Sequence, residues 1–255
     1  MKKALMSLAL VAAMAVPTVA SAYDLAPTYP GKWGSPTLGT GATITWSLMP
    51  SDVNCYVAGG ESSTDCTTVA LGSFMPQGYL GEIQRAFDAW SAVADLTFQY
   101  VPDDGARANY PTASGDIRIG GHYMNGTGGV LAHGFFPPNN GNSIAGDIHF
   151  DTGDSWTIGF AGPGYDIFQV FTHELGHALG LGHSDQIGAL MYPYYSESFS
   201  GPQADDIAGM QYLYGAPLND TNDPTPSPVS EPSTLALLGV VVLGMARRRK
   251  AKARA

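Results

Sequence analysis

"HELGHALGLGH", residues 173–183, holds three of the chain's six histidines within eleven positions. His173 and His177 are four apart, so on a helix they project from one face, one turn above the other, the spacing at which two imidazoles grip one zinc ion. The apolar pattern around them predicts a helix from Tyr165 to Gly180. Glu174 stands beside such a metal rather than pointing at it, where a carboxylate can take a proton from metal-activated water. Gly180 permits a sharp exit from the helix because glycine tolerates positive φ, and His183 then returns as the third ligand. Three protein ligands leave one position for water, which marks a catalytic rather than a closed structural zinc site. The full H-E-x-x-H-x-x-G-x-x-H pattern is much more specific than H-E-x-x-H alone.

Outward from this stretch, "ATITWSL" (42–48) alternates like a strand, and residues 79–94 carry Leu80, Ile83, Phe87, Trp90 and Ala94 at helical spacing. "LTFQYV" (96–101), "GDIRIGG" (115–121) and "GDIHFD" (146–151) read as strands. A last helix is expected from Gln203 to Tyr214, with Ile207, Met210 and Tyr214 on one face. Strands and one helix first, the remaining helices last, indicate an α+β fold with one sheet.

With "GALMYPYY" at 188–195 and "ADDIAGMQYLYG" at 204–215, and with Trp90, "LTF", "GDIRI", "GGVLAH" and "GDIHFD" in order upstream, the sequence resembles the metzincin metalloendopeptidases. Within them it is similar to the matrixins over about residues 36–215. The resemblance implies a metzincin catalytic domain: a twisted, mostly parallel sheet with an active-site helix, a Met-turn and a C-terminal helix. It places Met191 beneath the zinc ligands and makes Pro193, Tyr194 and Tyr195 the wall of the pocket for the side chain after the scissile bond. Gly129, Val130, Leu131 and Ala132 become the sheet edge that pairs with an extended substrate.

The same resemblance implies a second, structural zinc held by His122, His133 and His149. The family pairs the first of these with an aspartate two positions on; Met124 stands there, and the fourth ligand is open. The alternative is an exposed loop histidine with two hydrogen-bonded sheet histidines. "NGTGG" (125–129), Asp151 and Asp154 match a calcium loop with Asn125 in place of an aspartate, and Asp147 matches a second calcium site. Oxygen ligands of this kind suit calcium, although solvated acidic loops have the same composition.

Both ends of the 255-residue chain look like sorting segments. Lys2 and Lys3, an apolar run from Ala4 to Val16, and the small residues Ala20, Ser21 and Ala22 read as a cleaved secretory signal over 1–22. The run is shorter than the roughly 20 apolar residues of a membrane span. After a short segment 23–35 and the domain 36–215, residues 216–230 have a linker's polar, Pro-rich composition. Residues 231–255 join Glu231, Pro232 and Ser233 to thirteen apolar positions, Thr234 to Ala246, and an Arg/Lys block. This tail resembles the PEP-CTERM sorting signal, which implies a Gram-negative source, transient membrane association, cutting by an exosortase-like enzyme, and release or attachment at the cell surface. A plain tail anchor is the alternative.

Of 12 Lys and Arg, only Lys32, Arg85, Arg107 and Arg118 fall within 23–230, against 21 of the 22 acidic residues. So acidic a domain repels phosphate backbones, which argues against nucleic acid as a partner. Cys55 and Cys66 are the only cysteines and, in an exported chain, most simply form a disulfide. The expected function is an exported, monomeric zinc metalloendopeptidase acting on protein or peptide substrates, with Glu174 as general base. The alternative is an inactive, metal-stabilised protein of the cell surface or extracellular matrix.

Overall fold

The structure is a computed structural model that describes residues 23–55, 66–108, 110, 112–137 and 144–218. The expected signal (1–22), the sorting tail (231–255) and the linker beyond residue 218 lie outside the described residues. The chain divides between Pro217 and Leu218. Every element below lies before that point.

Five strands form the main sheet: β1 (Ala42–Leu48), β2 (Leu96–Tyr100), β3 (Ile117–His122), β4 (Ala132–Gly134) and β5 (Ile148–Asp151), in the order β2-β1-β3-β5-β4. The pairings β1–β2, β1–β3 and β3–β5 are parallel. Only β4 runs antiparallel, on the outer side of β5. Two short parallel strands, β6 (Trp156–Thr157) and β7 (Tyr165–Asp166), form a separate pair. Three helices, α1 (Tyr79–Ser91), α2 (Ile167–Leu179) and α3 (Ala204–Tyr214), complete the α+β architecture.

α1 packs on α2 and buries Ile83, Ala86, Phe87 and Trp90, positions three and four apart. Leu80, expected on the same face, is exposed because the buried stripe begins one turn further in, at Ile83. The Trp90 indole donates to the carbonyl of Thr172 at 3.0 Å, so the largest side chain of the α1 face is also tied to α2. Phe87 meets Trp46, Phe98 and Phe171 at centroid distances of 4.9, 4.6 and 5.4 Å. Each such pair contributes about 0.5–1.5 kcal/mol beyond burial.

β3 is buried along its whole length. Its one charged residue, Arg118, is fully enclosed and makes two hydrogen bonds to the Asp103 carboxylate, at 2.9 and 2.7 Å. Asp103 also accepts from the Ser47 hydroxyl at 2.8 Å.

α2 starts later than its apolar pattern suggests. Asp166 is the N-cap, its carboxylate accepting from the Gln169 amide at 2.8 Å, and Tyr165 belongs to β7. On α3 the buried face is Asp206, Gly209, Met210, Leu213 and Tyr214, with Ile207 only half-buried. Leu213 takes the place on this face that Ile207 was expected to fill.

The segment Tyr23–Ser35 lies across the end of α2. Ala26 donates to the Gly180 carbonyl at 2.8 Å, Gly182 donates to the Asp24 carbonyl at 2.9 Å, and Leu25 bridges Leu181. The Trp33 indole donates to the Ala178 carbonyl at 2.7 Å, and the Tyr214 hydroxyl donates to that of Leu179 at 2.8 Å. The last carbonyls of a helix have no partner within it; here α3 and the start of the domain supply them. Cys55 and Cys66 form the expected disulfide, with Cα atoms 5.3 Å apart.

Candidate active site

α2 holds His173, Glu174 and His177, and the chain leaves it at Gly180 with φ of +112°. A side chain at position 180 would also collide with the Gly31 carbonyl, so both backbone angle and space require glycine there. The exit returns His183 to the other two. Ring centroids lie 4.8 Å (His173–His177), 4.7 Å (His177–His183) and 5.4 Å (His173–His183) apart.

The imidazoles are held from behind. Nδ1 of His173 faces the Leu190 carbonyl at 2.7 Å, and Nδ1 of His177 faces that of Leu181 at 2.8 Å. A carbonyl partner makes Nδ1 the donor and leaves Nε2 as a bare lone pair. Nε2 of His177 and of His183 approach to 3.2 Å, and ligand atoms from all three residues lie within 4.8 Å of one another. Converging lone pairs of this kind fit a zinc ion. Burial pushes His173 down to about 4 and His177 to about 3, and lowers His183. All three are therefore in the neutral form that binds metal.

Burial pushes the Glu174 carboxyl up to about 8, opposed by a hydrogen bond from the Gly134 amide. Gly134 belongs to β4, so the sheet edge and the carboxylate are in direct contact. Beneath the site, Gly176 makes room for Met191: a Cβ at 176 would collide with the methionine sulfur. Met191 is held by Asp206, whose buried carboxylate accepts from the amides of Leu190 (2.7 Å), Met191 (2.9 Å) and Gln203 (2.7 Å). Asp206 was not singled out from the sequence. Its one local signal is a carboxylate three residues after the N-cap Gln203, with which it forms a capping box.

Beside His173 and Glu174 opens a cavity of about 410 Å³. Gly129, Val130, Leu131 and Ala132 line one side, and Pro193, Tyr194 and Tyr195 the other, so the seven residues expected to meet substrate share one cleft. The regular strand β4 is shorter than the expected edge: it begins at Ala132, while Leu131 still accepts from the Asp151 amide at 2.8 Å. The Tyr195 ring meets Tyr165 edge-on at 5.2 Å, and its hydroxyl accepts from the Asp166 amide at 3.0 Å.

The other three histidines also come together. His122, His133 and His149 offer ligand atoms within 4.8 Å of one another. Nε2 of His133 lies 2.9 Å from Nδ1 of His149. His122 turns Nδ1 to the Tyr123 carbonyl at 2.9 Å, and its Nε2 is buried without a partner. A buried orphan nitrogen beside two facing imidazole nitrogens fits a cation better than a hydrogen-bonded core. Burial, with the neighbouring histidines, holds His133 down to about 4 and also lowers His149. No fourth His, Cys, Asp or Glu joins this group among the described residues.

Of the expected calcium ligands, Asp151 accepts from the amides of Met124, Asn125, Gly126 and Gly153, and Asp154 from that of Gly128. The Asn125 side chain accepts from Val130 at 3.0 Å. Burial alone would raise the Asp151 carboxyl, but the amide bonds outweigh it and hold it low. Burial and the charge of Asp151 raise Asp154, one of whose oxygens is buried and unpartnered. Asp147 is fully buried, and burial raises its carboxyl against the opposing influence of Arg118.

Residues 73–215 match the family model for matrixin, and residues 228–250 match the PEP-CTERM protein-sorting motif, a mark of export to the cell envelope in Gram-negative bacteria. The chain is 44% identical over 152 residues to matrix metalloproteinase-18 of Xenopus laevis, covering 57% of this chain and 31% of that protein. It is 44% identical over 142 residues to interstitial collagenase of Bos taurus (54% and 29%). Against the hatching enzyme of Paracentrotus lividus the figure is 45% over 145 residues (53% and 22%). The chain thus spans less than a third of the length of each of these relatives. The three-histidine cluster, the methionine under it and four strands of the mixed five-stranded sheet, β2 to β5, lie within the matched region, and the chain belongs to the matrixin family.

Proposed function

We propose that the protein is an exported zinc metalloendopeptidase, made with a leader over 1–22 and a sorting tail over 231–255, and cutting extended segments of protein or peptide. The observation that carries this reading is the convergence of His173, His177 and His183 beside a buried Glu174, in a cleft bounded by a sheet edge. When bound, zinc supplies Lewis acidity that polarises the scissile carbonyl and lowers the pKa of water from 15.7 toward about 7.

The chain's own groups do the rest. β4 and the residues leading into it offer backbone groups to an extended peptide, the cavity takes the side chain that follows the scissile bond, and the enclosing walls exclude water. Glu174 takes a proton from the attacking water and passes it to the leaving amine. Burial pushes the Glu174 carboxyl up, and a cation held by His173, His177 and His183 would favour the ionised form in which Glu174 accepts a proton. No side chain forms a covalent intermediate in this scheme. His122, His133 and His149 would hold a second, structural zinc. Asn125, Asp151 and Asp154, and separately Asp147, would serve calcium.

The test compares wild type with Glu174→Ala for metal content by mass spectrometry and for cleavage of a quenched peptide library. The variant should keep its zinc and lose on the order of a thousandfold or more in kcat/KM. A wild-type chain that binds zinc yet cleaves nothing in the library would overturn the reading.

A further inference from the structure

Gln169 stands four residues before His173 on α2, on the same face and one turn nearer the helix start, and lines the same cavity. Much of the rest of that lining is apolar or aromatic, Val170, Leu190, Phe199, Tyr165 and Tyr195 among it. Its side chain is 4% exposed, which is unusual for an uncharged amide unless both ends are used. One end is. Oε1 accepts from the Gly201 amide at 3.1 Å, and since an N–H can only meet the oxygen, this bond fixes which way the amide points. The other end, Nε2, finds no acceptor among the described residues and is not sealed away from the cavity as the buried orphan atoms are.

Resting on the endopeptidase reading above, we propose that Gln169 is a specificity-determining residue: the pocket selects, after the scissile bond, a long unbranched side chain that ends in an amide. Nε2 offers two N–H donors to a cavity whose lining also includes Val170, Leu190 and Phe199. An aliphatic tip placed against them leaves them unpaired, whereas an amide oxygen accepts from them. The substrate's own NH2 in turn meets the second lone pair of Oε1, giving a paired amide–amide contact. A carboxylate tip could accept equally well, but it would enter a domain that carries 21 acidic against four basic residues between 23 and 230. Glutamine is therefore preferred to glutamate, and also to methionine or norleucine, which match its length without its acceptor.

The experiment uses the zinc-loaded full chain and peptides that differ only in the residue after the scissile bond: glutamine, glutamate, methionine, norleucine or leucine. Two quantities are read, kcat/KM on wild type and Kd on the Glu174→Ala chain, which reports the pocket without turnover. Glutamine should lead methionine by about fivefold to tenfold in both, one neutral hydrogen-bonded contact's worth. In Gln169→Met, close in length and volume, the order should reverse, while thermal melting confirms a folded chain. Methionine equal to or ahead of glutamine in wild type, or a ratio unmoved by Gln169→Met, overturns the proposal. Selective binding without cleavage would instead sink the endopeptidase reading and leave the pocket assignment standing.

Discussion

Replacing Asp206 by alanine would leave the amides of Leu190, Met191 and Gln203 without their shared acceptor, two of them beneath the histidines. Each orphaned buried N–H costs about 1–3 kcal/mol, so chemical denaturation should show Asp206→Ala destabilised by roughly 3–5 kcal/mol. Because Met191 and the Leu190 carbonyl behind His173 lose their anchor, kcat/KM should fall as well, even in zinc-saturated protein. Gly176→Ala tests the same contact from above. Its new methyl must displace the Met191 sulfur, and overpacking of that kind costs about 1–3 kcal/mol, measurable as a lower Tm with the ligand set intact. At this scale the sequence was legible where residue type and spacing state a chemistry, in His173, His177 and His183 with a carboxylate beside them; the grouping of His122, His133 and His149 came only with the family resemblance. Asp206 and Gln169 were opaque because a carboxylate near a helix start and a glutamine on an amphipathic helix are ordinary residues until the chain folds a partner against them.

The end of α2 shows the same limit for elements. Its start and stop were readable to within two residues, from the apolar pattern and from Gly180, but nothing local told that its last carbonyls depend on Trp33 and on Tyr214, 35 residues downstream of Leu179. The Tyr214 hydroxyl also accepts from the Trp33 amide, at 2.9 Å, so it joins three segments. Tyr214→Phe keeps the ring and removes that junction. It should cost about 1–3 kcal/mol in urea unfolding, and Trp33→Phe a comparable amount. The bounds of the strand "ATITWSL" were read to the residue; Ile44 and Trp46 keep its alternation, while Ser47 is buried as well, against the Asp103 carboxylate. The edge segment 129–132 was read as longer than the strand it forms, because an edge is defined by pairing that spacing alone cannot count.

For the molecule as a whole, the pairing of Asp103 with Arg118 ties acid stability to one enclosed ion pair. Burial by itself would raise the Asp103 carboxyl, but hydrogen bonds from Arg118, Gly105 and Ser47, with the charge of Arg118, hold it below its ordinary value. A carboxyl with a depressed folded pKa adds stability that is fully present above its unfolded value of about 3.9 and is lost as pH falls through the lower folded value. D103N should therefore be less stable than wild type by about 3–5 kcal/mol at pH 7, because Arg118 is left buried and unpaired, and the gap should narrow as the pH drops below about 4. Urea titrations across that range check the sign. On the proposed two-zinc reading, chelation should lower Tm, and His133→Ala should reduce the zinc content by one per chain relative to wild type. The strap across α2 adds a condition of another kind. Asp24, Leu25 and Ala26 bond on either side of Leu181, two residues before His183. A maturation cut that fell beyond Ala26 would keep every ligand, the base and the pocket residues in the chain but remove the bonds that tether the approach to His183, so batches of identical catalytic sequence would differ in activity according to where their first bond was severed.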